Sequence, residues 1–245
     1  VPRDQGHAPS HANGTSEGRR IGAEFVGTAL LTFVAAGADV VEFVTGGGIG
    51  HVARYVAPAL VVTAMIWSLS GISGAHINPA VTLAFVARRS FPPGRVAPYL
   101  AAQFAGAVVA AFALRGIFGS AVEHGITKPT AFAPWQALVL ETILTFILVY
   151  TILATSEEKA VVGKNGALAV GGVVALCGLA FSPVSGASMN PARSFGPMLA
   201  SLQFQYLWIY ICGPILGALL AAAIVSATHG PPTEETQSAA GGKEA

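Results

Sequence analysis

The sequence predicts an all-α membrane protein of six transmembrane helices plus two re-entrant half-helices, built as an inverted repeat of three spans and three spans. Three observations carry this. Of the 245 residues, 53% are hydrophobic and only 10% charged, against roughly 25% charged in soluble domains, and the mean hydropathy is +0.63. Six apolar stretches reach the length of about 20 residues that a helix needs to cross a bilayer. A Ser-Gly-Ala element followed by Asn-Pro-Ala occurs twice, at 73–80 and 185–192. With a net charge of +1, this composition excludes a soluble enzyme core, a cationic nucleic-acid binder and an acidic disordered chain as readings of the whole.

Taken in order, residues 1–19 are polar and aperiodic and predict a disordered tail. His7 and His11 have a metal-compatible spacing with nothing nearby to hold the ligands. The spans fall at 21–41, 52–70, 96–114, 134–154, 167–181 and 207–227, within one domain at 20–227 whose repeat halves are about 20–118 and 134–227. Residues 228–245 predict a second disordered tail. Cys177 and Cys212 lie in apolar stretches without disulfide or metal spacing, so no metal and no cofactor is expected. Segments 70–86 and 182–200 are too rich in Gly and Pro to span, yet too apolar for solvent loops. Broken backbone at membrane depth is tolerated where it lines a cavity or is buried in protein, so both point to a pore or binding site.

Orientation follows from the basic residues. Cytoplasmic termini put Arg19, Arg20, Arg88, Arg89, Arg95, Lys159 and Lys164 inside and Arg54, Arg115 and Lys128 outside, as the positive-inside rule requires.

The repeat extends beyond the boxes. Residues 70–85 match 182–197, the Tyr99 to Gly106 stretch matches Tyr210 to Gly217, and Glu24 pairs with Glu141. Because each half has three spans, the second must run with opposite polarity. Asn is a good N-cap and Pro suits the first helical turn, so Asn78-Pro79 and Asn190-Pro191 each predict a half-helix beginning near the midplane. Two N-termini, each carrying about half a positive charge, would then repel cations and protons from one point. Asn78 and Asn190 would offer amide N–H groups to a neutral solute there. The extended stretches before them would offer carbonyl oxygens, with Gly74 and Gly186 permitting the turns.

These duplicated boxes, Asn78, Pro79, Ala80 and Asn190, Pro191, Ala192, resemble those of the aquaporin, or major intrinsic protein, family over about residues 20–227. The resemblance implies a passive channel and not an enzyme, assembled as a homotetramer in a lipid bilayer and passing water and small neutral solutes. It places the selectivity arginine on Arg193 and the other filter positions on Pro58, Gly178 and Ala187. With two small residues and a compact ring, that filter resembles the wide type of plant nodulin-26-like channels, associated with silicic acid, boric acid, arsenite and urea. Pro58 departs from their pattern. It further implies that Glu24 and Glu141 accept hydrogen bonds from the re-entrant backbone. His76 is expected to line the inner half of the pore and hold loop backbone, with pH gating as the alternative, and Gln103 to bond across helices.

Competing readings are a water-selective aquaporin, a coupled transporter, since inverted repeats with broken helices occur there too, and a structural membrane protein. A proton-coupled mechanism would have to use Glu24 or Glu141. The localisation expected is an integral, multi-pass plasma or inner membrane protein with both termini cytoplasmic.

Overall fold

The computed structural model describes residues 15–157 and 165–241; His7, His11, Lys159 and Lys164 lie outside them. Six helices are long and apolar enough to cross a membrane: α1 (Glu17–Val44), α2 (Gly50–Ser73), α4 (Val96–Phe118), α5 (Pro134–Thr155), α6 (Gly166–Ser185) and α8 (Leu207–His229). Each contains its expected span and extends it by a few polar or interfacial residues. Between them lie the half-helices α3 (Pro79–Ala87) and α7 (Pro191–Ser201).

The packing follows the repeat. Helix α1 packs on α2 and α4 as α5 packs on α6 and α8. Each half-helix also crosses to the other repeat, α3 against α8 and α7 against α4, and α2 meets α6. Two matched glycines allow the tightest crossings. A Cβ at Gly106 would lie 2.3 Å from the Phe25 carbonyl oxygen, and one at Gly217 would lie 2.1 Å from that of Thr142. With little hydrophobic force between helices in lipid, such close backbone approach is what van der Waals packing relies on. Large apolar side chains such as Phe33, Leu60, Phe112, Ile143, Leu176 and Leu220 stand exposed on the outside, where acyl chains would cover them.

The terminal segment departs from the expectation of disorder. Helix α9 (Glu234–Ala239) begins at Thr233, whose side chain accepts from the Thr236 N–H, and the chain then turns into the bundle. Ala240 is fully buried, and the Gly241 carbonyl accepts from Arg20 Nη1 at 2.9 Å and Arg95 Nη1 at 3.0 Å. The attachment is through backbone carbonyls, so the apolar periodicity that marks a core helix is missing from 234–241. Both described chain ends therefore share one face of the bundle, here the terminal face. Arg88 joins α3 to it, bonding Glu157, Ser226 and the Gly230 carbonyl.

Candidate functional site

The site starts with a backbone shape that occurs twice. Helices α2 and α6 end in left-handed Gly74 (φ 85°) and Gly186 (φ 84°). Ala75 and Ile77 then adopt positive φ, and so do Ala187 and Met189. Left-handed backbone in residues bearing a Cβ is uphill by about 1–2 kcal/mol each, so each loop needs an external hold.

That hold is a buried glutamate. Glu24 accepts from the Ser73 hydroxyl (2.7 Å), the His76 N–H (2.9 Å), the Ile77 N–H (2.7 Å) and Gln103 Nε2 (2.8 Å). Glu141 accepts from the Ser185 hydroxyl (2.7 Å) and the Ser188 and Met189 N–H groups (2.9 and 2.8 Å). Tyr99 and Tyr210 brace the same turns by donating to the Ser73 and Ser185 carbonyls, at 3.0 and 2.5 Å. Every recorded polar neighbour of either carboxyl group is a donor, so both act as acceptors and the loop N–H groups are paired. The Ile77 and Met189 carbonyls at the loop ends remain as acceptors.

The loops deliver Asn78 and Asn190 to the centre. The Asn78 side-chain oxygen caps α3 at the Ala80 N–H (2.9 Å), and that of Asn190 caps α7 at Ala192 and Arg193 (3.0 and 3.2 Å). Their amide nitrogens cross over: Asn78 donates to the Met189 carbonyl at 2.8 Å, and Asn190 to that of Ile77 at 2.9 Å. An amide NH₂ has two donors, so each keeps one for the cavity that both line. The boxes' prolines and alanines form the first turns of α3 and α7 behind them, buried.

Pro58, Gly178, Ala187, Arg193, His76 and Gly186 line this same cavity, of about 80 Å³. That is room for a short file of waters, given the 10–15 Å³ each needs. Leu31, Val62, Leu148, Val170 and Val174 give it apolar lining, and the two re-entrant loops and asparagines line it as well. A second cavity, a vestibule of about 540 Å³ at the terminal face, shares Ala75, Val81 and Ile152 with it as lining residues. Gly74 lines the vestibule, as do Glu235, Ser238 and Ala239 of α9.

At the far mouth Arg193 is buried and bonds the Gly125 carbonyl at 3.2 Å and Asp39 Oδ2 at 3.3 Å. The guanidinium thus has a charged partner as well as a carbonyl. Asp39 holds Arg54 through its other oxygen, at 2.9 and 2.7 Å, so one carboxylate joins two arginines. His76 differs from its expected role. Its side chain does not hold the re-entrant loop; Nε2 donates to the Ala240 carbonyl at 3.1 Å and Nδ1 meets the Thr82 hydroxyl at 3.0 Å. Gln103 does bond across helices, to Glu24 and to Thr82.

Asp39, Arg54, Tyr55 and the Ala240–Gly241 carbonyls escaped the sequence reading. Asp39 and Arg54 read as interfacial charges at span ends, and carbonyls carry no residue signal. Only Tyr55, one turn before Pro58, carried a usable sign: an aromatic on the face of α2 that Pro58 presents.

A six-helix bundle whose two half-helices meet N-terminus to N-terminus beside a cavity lined by both N-cap asparagines has the architecture of a membrane channel. Comparison with known proteins agrees. The chain belongs to the major intrinsic protein family, which it matches over residues 12–225. It is 40% identical over 210 residues to aquaporin NIP3-1 of Oryza sativa subsp. japonica, covering 85% of this chain and 68% of that one. It is 43% identical over 204 residues to aquaporin NIP2-1 of Zea mays, covering 83% and 69%. The X-ray structure of the aquaglyceroporin from Plasmodium falciparum shares the fold, with a TM-score of 0.77 at 24% identity over 86% of this chain and 96% of that one.

Proposed function

We propose that the chain conducts water and small uncharged solutes passively, through a filter formed by Pro58, Gly178, Ala187 and Arg193 that admits solutes such as silicic acid, boric acid, arsenite, urea or glycerol. One observation carries the reading: Asn78 and Asn190, the N-caps of the two half-helices, each donate to the other repeat's loop and both line the same cavity, with a second amide N–H apiece left for a solute. That point favours a neutral acceptor and opposes cations and protons. Similarity to NIP-type aquaporins supports the wide-filter form. The glutamates suit scaffolding better than coupling, since each is engaged by donors of its own loop.

The working form is a homotetramer with one pore per protomer, in a plasma or inner membrane. Its terminal face is cytoplasmic: among the described residues that face carries Arg19, Arg20, Arg88, Arg89 and Arg95, and the far face Arg54, Arg115 and Lys128. Stopped-flow shrinkage of proteoliposomes with water, glycerol, urea and boric acid tests the reading. A channel gives non-saturating fluxes of low activation energy, independent of ion gradients. Saturation, or accumulation driven by a proton gradient, would overturn it.

A further inference from the structure

The filter position at Gly178 is not empty space. A Cβ there would lie 2.8 Å from Tyr55 Cβ, 2.9 Å from Cδ1 and 3.1 Å from Cγ. The missing side chain of α6 is thus the seat of an aromatic ring from α2, and Tyr55 lines the cavity beside Pro58 and Gly178.

Two neighbours fix that ring. The His51 ring meets it edge-on with centroids 5.0 Å apart, and His51 Nε2 reaches the Leu179 carbonyl at 3.1 Å. The Arg54 guanidinium carbon stands 5.4 Å from the ring centroid, within reach of a cation–π attraction, and Nη2 lies 3.4 Å from the phenol oxygen. Arg54 is in turn paired to Asp39, the carboxylate that also holds Arg193.

From this we infer that Tyr55 is the residue that sets the width of the far mouth: its ring, seated on Gly178 and steadied through Arg54 and Asp39, supplies the bulk that the four filter residues lack and slows uncharged solutes of glycerol's width relative to water. Asp39 is a positioning residue in this arrangement, because its two oxygens tie the arginine beside Tyr55 to the arginine of the filter.

The inference rests on the channel reading, and the test separates the two. Water and glycerol permeabilities are measured in proteoliposomes for the full chain, Tyr55→Ala, Tyr55→Phe, Gly178→Ala and the double variant Tyr55→Ala/Gly178→Ala. Removing the ring raises the glycerol-to-water ratio roughly tenfold, the order of discrimination that steric groups of this size supply. Tyr55→Phe restores the ring and returns the ratio toward that of the unaltered chain. Gly178→Ala, which must displace the ring, shifts the ratio only when Tyr55 is present, so the two positions are coupled. A Tyr55→Ala protein that conducts water with an unchanged ratio overturns the inference and leaves the channel reading standing. If Tyr55→Ala does not fold, an unchanged ratio in Gly178→Ala overturns it instead. An unaltered chain that conducts neither solute above empty vesicles overturns both.

Discussion

Glu24 and Glu141 do the same work at opposite ends of the lumen, each gathering one serine hydroxyl and two successive backbone N–H groups of a re-entrant loop. They differ in one partner. Gln103 also donates to Glu24, whereas the matching position in the second half is Pro214, which has no side-chain donor.

That difference ranks two substitutions. Glu→Gln turns one acceptor oxygen into a donor facing a backbone N–H, and a buried unpaired donor costs about 1–3 kcal/mol. In Glu24→Gln the new NH₂ can bond the Gln103 side-chain oxygen, which has no hydrogen-bond partner among the described residues, by rotation of that amide. Glu141→Gln has no such neighbour and loses more. Thermal unfolding in detergent, followed by size exclusion, should give a lower Tm for both and the lower of the two for Glu141→Gln.

The asparagine caps rank likewise. Asn190 caps two N–H groups and Asn78 one, and loss of an N-cap costs about 1 kcal/mol. Asn190→Ala should therefore lower Tm more than Asn78→Ala. Equal shifts would mean the crossed amide bonds outweigh the caps.

Arg193→Val tests the exclusion of charge. The variant should fold, because Asp39 keeps Arg54 as a partner. Neutral-solute permeability should rise and some proton leak appear, while the central helix dipoles keep most of the barrier. Proton flux under an imposed voltage, normalised to channels per vesicle, reads both effects. If neither flux changes, Arg193 does not govern the mouth; a leak as large as that of an open cation pore would mean the central dipoles contribute little.

The docked terminal segment makes a fourth prediction. Replacing Arg20 and Arg95 together with Ala removes both donors to the Gly241 carbonyl. Limited proteolysis should then cut within 230–241 sooner than in the unaltered chain, with the six spans intact by mass spectrometry.

Much of this was legible because membranes constrain sequences strongly. Spans must be apolar and near 20 residues, and a half-helix at depth must be capped, which is why Asn-Pro announced α3 and α7. Glu24 and Glu141 were conspicuous as charges in apolar runs. The seat of Tyr55 was not legible: nothing local tells a glycine that leaves an opening from one that receives a ring from a helix more than a hundred residues away. The burial of Ala240 was hidden for a similar reason, since recognition runs through main-chain atoms that every residue possesses.

The crossed asparagines make the centre of the pore joint property of the two repeats. Neither half can finish its own box, because the acceptor for Asn78 is Met189 and that for Asn190 is Ile77. A single half inserted alone would hold an amide with no carbonyl of the other repeat to receive it, so the centre of the lumen comes into being only when both halves have entered the bilayer and met. During synthesis the Glu24-held loop of the first repeat therefore keeps its Asn78 amide without this partner until the Met189 loop of the second repeat arrives.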